Sequence, residues 1–204
     1  MAPSAAPSAV SKAPTAPSPS CFAGSERLTL ESGATKAMSD LAVGDRILTV
    51  NAQGKQVYSD VAYLPHGQNA VKATFTVVTT EDGRNLKVTA NHMLPAGACQ
   101  SPAALPIVPA SAVVVGNCVQ TVSGREQVVS VSTVEGEGIY TAIAMEELLV
   151  VNGIIATPYG GINPVIANVF YNLFRVVYMW GFGSALRQAT AQAATMLWAH
   201  AASI

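Results

Sequence analysis

Apolar and polar positions alternate with a period of two along most of the chain between Cys21 and Gly160. The runs DRILTV, QVYSDVAYL, VKATFTVVTT, NLKVTA, EQVVSVSTV and ELLVVNGIIAT each read as short strands. Asn-Ala-Gln-Gly, Glu-Asp-Gly-Arg and Val-Asn-Gly break them with residues that hairpin turns prefer. Many short strands at close spacing predict an all-β domain over residues 21–160. From Ile162 the period changes. VIANVFYNLFRVVYMWGF sets Asn168, Asn172 and Arg175 on one helical face, four and three residues apart, with apolar residues elsewhere. Gly181 and Gly183 interrupt this helix, and Ser184 caps a second, Ala-rich one running towards Trp198 and His200. Residues 161–204 are therefore expected to form an amphipathic helical hairpin.

The β part repeats itself weakly. Val43–Val50 (VGDRILTV) aligns with Val115–Val122 (VGNCVQTV), and Asn85–Thr89 aligns with Glu147–Val151. Either Val-rich strands match by chance or one β unit is duplicated about a pseudo-twofold axis. In the second case Thr89 and His92 of the first copy correspond to Val151 and Ile154 of the second, so one half carries polar chemistry and the other is scaffold.

Residues 1–20, MAPSAAPSAVSKAPTAPSPS, are too rich in Pro, Ser and Ala to bury a core, and they lack the apolar stretch of a signal peptide. They read as a linker. With 50% hydrophobic residues, 11% charged residues and a net charge of -1, the chain has no basic stripe for nucleic acid. Contact with an apolar partner, or simply a well-packed β domain, fits this balance better. Cys21, Cys99 and Cys118 form neither a disulfide framework nor a zinc spacing, and their odd number leaves at least one thiol free. No metal or cofactor motif is present, and a monomer is expected.

Cys21 opens the foldable part of the chain. Its thiolate can reach the Ser20 carbonyl through a five-membered ring and convert the amide into a thioester, if the fold polarises that peptide and supplies a proton to the departing amine. The plainer reading is a small buried hydrophobe. Thr89-Ala90-Asn91-His92 follows a strand. His92 suits proton transfer and Thr89 can hydrogen-bond the same peptide, or His92 is an ordinary surface histidine. His66, in a loop after a strand, is either a base for a second nucleophile or a solvated loop residue. His200 reads as surface, and Glu146-Glu147 as a hairpin tip.

The order of these elements resembles the Hint family, the autoprocessing fold of Hedgehog C-terminal domains and inteins. The resemblance rests on Cys21-Phe22, LESGATKAMSDLAVGDRIL (Leu30 to Leu48), VYSDVAYL (Val57 to Leu64), KVTANHMLP (Lys87 to Pro95) and GIYTAIAMEELLVVNGIIAT (Gly138 to Thr157). The order of Gly33, Lys36, Met38, Leu41, Gly44 and Asp45 is similar to Hedgehog-type domains specifically. The resemblance implies a pseudo-twofold Hint fold and cleavage at Ser20-Cys21, with Cys21 as nucleophile and Thr89 and His92 promoting the shift. The substrate is then the chain's own upstream segment. A sterol such as cholesterol becomes a candidate co-substrate, and residues 162–204 a candidate sterol-recognition or membrane-contacting region. A secretory or membrane-associated location would follow if an upstream domain with a signal peptide precedes the linker.

The chain also departs from the family. No His-Asn closes its last β stretch, so full splicing is not implied. Ser20 stands where Hedgehog proteins usually have Gly, and Thr157-Pro158-Tyr159 where they commonly have Ser-Cys-Tyr. His66 occupies the place of the aspartate that activates the sterol, whereas Asp60 matches a different family position. A histidine accepts a proton only above roughly pH 6.5. Either a base with altered pH dependence remains, or water or a thiol resolves the thioester. A catalytically weak, lipid-binding Hint module is the competing expectation.

Overall fold

The structure, a computed structural model, describes residues 20–160 and 164–182, with side chains outside the description at 66–70, 164–168 and 181–182. It has twelve strands. They are β1 (Phe22–Ala23), β2 (Arg27–Thr29), β3 (Thr35–Ala37), β4 (Arg46–Val50), β5 (Gln56–Thr80), β6 (Asn85–Thr89), β7 (Met93–Gly97), β8 (Ile107–Pro109), β9 (Cys118–Thr121), β10 (Gly124–Ala144), β11 (Leu148–Val151) and β12 (Ile154–Ala156). One helix follows, α1 (Pro164–Val177), ending in a π-helical turn, Tyr178–Phe182. The strands join edge to edge in the order β3-β2-β11-β4-β5-β6-β1-β10-β9-β7-β8, with β12 against β11 and β9. Phe22, Leu28, Ile47, Leu86, Leu94, Leu149 and Ile154 are buried in the shared core.

The repeat is real. Each half runs through a short strand (β3 or β8), a 3-10 turn (Met38–Asp40 or Ala110–Ala112), a strand, a long strand and a further short strand. The turns before β4 and β9 match bond for bond. Gly44 and Gly116 have φ of 94° and 93°, a region that favours glycine. The amides of Asp45 and Asn117 each donate to the carbonyl three residues earlier, at 3.1 Å. The Asp45 and Asn117 side chains accept from the amides of Ala42 and Val114 at 2.7 and 3.2 Å.

Three expectations change. QVYSDVAYL and VKATFTVVTT are not separate strands, and His66 lies in no loop. Both belong to β5, whose 25 residues run antiparallel to the 21 residues of β10. The continuous partner holds the intervening breakers in the ribbon: His66 pairs with Thr141, and Pro65 falls at a register shift opposite Thr141–Ile143. A bulge there leaves the missing proline N–H without a ladder bond to make. Cys99 and Cys118 do pair, as a disulfide with Cα atoms 4.9 Å apart, across the neighbouring ends of β7 and β9. Spacing along the chain did not show this pairing; the strand neighbours create it. Cys21 stays free, as the odd count requires.

Of the polar residues that share a face of α1, Arg175 points inward while Asn172 is exposed. Arg175 is buried and donates to the Ala144 carbonyl (2.8 Å), the Glu146 carbonyl (3.1 Å) and Asn172 Oδ1 (2.8 Å). Phe174 stacks on Tyr63 with ring centroids 4.2 Å apart, and the Tyr178 hydroxyl donates to Asp60 at 2.9 Å. Val169, Phe170, Leu173, Met179 and Trp180 are exposed, Trp180 at 74%. The expected second helix from Ser184, with His200, lies outside the described residues. None of the described helices is long and apolar enough to cross a membrane.

The Cys99–Cys118 bridge closes a loop with a sequence separation of 19. Removing it as the Cys99→Ser/Cys118→Ser pair is expected to lower stability by about 3 kcal/mol. Urea denaturation read by fluorescence measures this, with the midpoint falling and the slope rising, because the unfolded chain without the bridge is less compact.

Candidate active site

The two residues of β1 are inserted between β6 and β10: Phe22 pairs with Val88 on one side and with Tyr140 on the other. Cys21 therefore enters the core at its first step, with no solvent exposure, packed with Ala23, Phe75 and Ile139. Thr89, the last residue of β6, holds the Cys21 backbone at both ends. The Cys21 N–H donates to Thr89 Oγ1 at 2.9 Å, and the Thr89 N–H donates to the Cys21 carbonyl at 2.9 Å. The peptide linking Ser20 to Cys21 is thus fixed through its nitrogen.

His92 follows one tight turn later, its amide donating to the Thr89 carbonyl at 2.9 Å. The ring is completely buried and meets Phe22 edge-on, centroids 4.2 Å apart. Nε2 lies 2.7 Å from the Thr157 carbonyl. A carbonyl only accepts, so Nε2 carries the hydrogen. In a neutral ring Nδ1 then holds a lone pair, and among the described residues it is the buried side-chain polar atom left without a partner. Burial lowers the imidazole from 6.5 to about 4, against the opposing pull of the Thr157 carbonyl. Burial also pushes the Cys21 thiol from 9.0 up to about 12. The resting pair is a neutral thiol and a neutral imidazole, and a thiolate forms only when a nearby group takes its proton.

The chain end of the β domain closes the site. The Thr157 hydroxyl donates to the Met93 carbonyl at 2.8 Å, the Thr141 hydroxyl donates to the Pro158 carbonyl at 2.8 Å, and Gly160 forms a β-bridge with His92. Ser20 Oγ donates to the Asn91 carbonyl at 3.4 Å. Tyr171 of α1 stacks over Tyr159, ring centroids 6.5 Å apart. Its phenol is raised by burial first and then by the neighbouring Tyr63 and Cys21. A cavity of about 340 Å³ opens beside the turn, lined by Val71, Lys72, Ala73, Thr89, Ala90 and Ile139 among others.

Ser20, Cys21, Thr89 and His92, about 70 residues apart in the chain, converge here. His66 is placed by its backbone alone, opposite Thr141 on the β5–β10 ribbon. Thr157 and Gly160 were missed by sequence reasoning. Thr157 was noted only as a mismatch, because its useful atom is a backbone carbonyl that any residue supplies. Gly160 was noted only as a boundary, although a glycine outside a turn signals close backbone approach.

The imidazole yields a pH prediction. The folded chain holds His92 neutral down to about pH 4, while the unfolded chain protonates it near 6.5. The stability this confers is complete above pH 6.5 and is lost as pH falls towards 4, amounting to about 3 kcal/mol. His92→Gln, which keeps a donor for the Thr157 carbonyl, is expected to remove that part of the acid dependence. Urea midpoints at pH 7 and pH 4.5 for both proteins measure it.

Comparisons with known proteins agree with this geometry. Residues 6–201 match the Hint module family. Indian hedgehog B protein of Danio rerio is 28% identical over 78% of this chain and 42% of its own length. Protein hedgehog of Drosophila virilis is 32% identical over 70% and 30%. The corresponding figures for Warthog protein 6 of Caenorhabditis elegans are 25%, 76% and 27%. The chain thus spans less than half the length of these relatives. A DnaB intein from Synechocystis sp. PCC 6803 superposes with a TM-score of 0.56 at 19% identity, over 70% of this chain and 99% of the intein. The gp41-1 intein gives 0.54 at 16%, over 69% and 99%. The duplicated β fold, the buried cysteine at its start and the Thr-x-x-His turn beside it are thus accompanied by a match across most of the sequence, and the chain belongs to the Hint family, with relatives among the Hedgehog and Warthog proteins.

Proposed function

We propose that the chain is a self-cleaving domain whose substrate is the segment before Cys21. The observation that carries this is the buried hydrogen bond from the Cys21 amide to Thr89 Oγ1, beside an imidazole with one uncommitted nitrogen. His92 Nδ1 takes the thiol proton. Sγ attacks the Ser20 carbonyl carbon, the bond from that carbon to the Cys21 nitrogen breaks, and the proton passes from His92 to the departing nitrogen as an amine. The depressed imidazole makes the first transfer the costly one and the second easy: once protonated, it gives the proton up readily to the departing amine. Thr89 holds the nitrogen in line throughout. A nucleophile then attacks the thioester carbon, Cys21 leaves as a thiol, and the upstream segment departs as an ester, thioester or acid.

A sterol is the nucleophile that the Hedgehog-type relationship favours, with His66 as its base. The aromatic and aliphatic side chains exposed on α1 support an apolar acceptor or a bilayer nearby, since Val169, Phe170, Leu173, Met179 and Trp180 face outward together. The same face supports the second reading, a Hint-fold lipid-associating module with little cleavage.

The test is a stable reporter fused before the linker and incubated near pH 7.5 with dithiothreitol, with cholesterol in detergent micelles, or with neither. Release is followed by gel and intact mass. Cys21→Ala is expected to abolish it. His92→Ala should slow it by about 10²- to 10⁴-fold. Thr89→Ala, which leaves the Cys21 N–H buried without an acceptor, should slow it by about 10- to 100-fold. Cholesterol mass on the reporter, lost in His66→Ala, would identify a sterol transferase. Release by thiol alone would identify a thioester without sterol transfer. No release under any condition, with the chain bound to vesicles, would favour the lipid module.

A further inference from the structure

Gly160 stands where the end of the β domain meets the scissile peptide. Its φ is not positive, so no backbone strain calls for glycine; space does. A Cβ there would lie 2.2 Å from the Asn91 carbonyl oxygen, 2.4 Å from Ser20 Oγ and 2.7 Å from Ser20 Cβ. All three are closer than a real Cβ approaches a heavy atom. Two of the three atoms belong to the side chain of residue 20. The third, the Asn91 carbonyl, is the group that accepts the Ser20 hydroxyl at 3.4 Å. Ser20 therefore sits in a small compartment, with the Gly160 Cα as one wall and the Asn91 carbonyl as another.

These walls are fixed from behind. Gly160 bridges the backbone of His92, the Tyr159 carbonyl accepts from Met93 N–H at 3.4 Å, and the Thr157 carbonyl lies 2.7 Å from His92 Nε2. The neighbouring Asn91 belongs to the Thr89–His92 turn. A larger side chain at position 20 has to push Gly160 or Asn91 outward. Either movement pulls directly on the backbone that sets the imidazole and on the turn that presents Thr89 to the Cys21 amide.

We infer that Gly160 sets the size of the subsite for residue 20, so that only a small side chain before the nucleophile allows processing. This rests on the self-cleavage reading and adds the substrate preference of that site: upstream segments ending in glycine, alanine or serine. The hydroxyl of serine is accommodated because the Asn91 carbonyl offers it a partner.

The experiment uses the full chain with a reporter before the linker and dithiothreitol as the resolving thiol. Position 20 is varied as Gly, Ala, Ser, Val and Phe. The three small residues are expected to cleave within about threefold of one another. Ser20→Val should be at least tenfold slower and Ser20→Phe about 100-fold slower, the scale of a 1 Å misplacement at a reacting centre. Crowding of the carbonyl itself would also slow Val and Phe, so Gly160→Ala is crossed with the series. It should slow the Ser20 chain at least fivefold more than the Ser20→Gly chain, a coupling that carbonyl crowding does not produce. Equal rates for Ser and Phe, or no coupling, would overturn the subsite and leave self-cleavage standing. If no variant cleaves, self-cleavage falls instead, and the subsite is judged by backbone amide NMR in the Cys21→Ala chain. There Ser20→Phe is expected to shift the amides of Asn91, His92 and Gly160, and unmoved amides would overturn it.

Discussion

The pair of hydrogen bonds between the Cys21 backbone and Thr89 is the constraint on which the site depends. A strand of two residues has too few ladder bonds to hold itself. It persists because β6 and β10 pair with it from both sides and Thr89 grips the residue before it, Cys21, at both ends. That grip takes the thiol out of water along with the backbone. The raised thiol and the lowered imidazole have one cause, the cost of charge in a dry interior. The two groups are therefore neutral together in the resting structure, and no net charge is buried there.

The duplication explains how such a site fits in a well-packed domain. The turn after β6 and the turn after β11 occupy equivalent places, yet the second carries Val151 and Ile154 where the first carries Thr89 and His92. Val151 pairs with Leu28, Ile154 pairs with Thr121, and both side chains are fully buried. At this turn the second half needs no side-chain hydrogen bonds. The first half places Thr89 and His92 there and supplies the Thr89 hydroxyl and His92 Nε2 with partners. The His92 Nδ1 lone pair is the exception, and an unpaired buried acceptor is costly enough to need a reason.

The helix beyond the β domain buries its arginine and exposes several of its apolar side chains. Arg175 turns inward because the Ala144 and Glu146 carbonyls at the β10–β11 corner offer a planar donor its partners. With the guanidinium inside, Val169, Phe170, Leu173, Met179 and Trp180 are left in solvent. Tyr63, Tyr159 and Tyr171 then line the side of the site that α1 faces, so the helix is joined to the chemistry through aromatic contacts.

Local pattern was enough for the fold class, the change from strand to helix near Ile162, and the duplicated turn, because each depends on residues adjacent in the chain. Order along the chain also singled out Cys21, Thr89 and His92, since a nucleophile at a domain start and a Thr-x-x-His after a strand are local features. Other properties came only with the tertiary structure. His66 joined a strand because β10 pairs along the whole of β5, and a long partner overrides a local Pro-Gly signal. Cys99 met Cys118 because β7 lies beside β9, a neighbour relation set by the sheet and not by spacing. Thr157 and Gly160 entered the site through a backbone carbonyl and through a missing side chain, neither of which has a signature in residue type. A sequence determines which groups are available and the conformations their neighbours permit. Which groups lose their water and face one another is decided by packing across the sheet, and the neutral resting states of Cys21 and His92 depend on that burial.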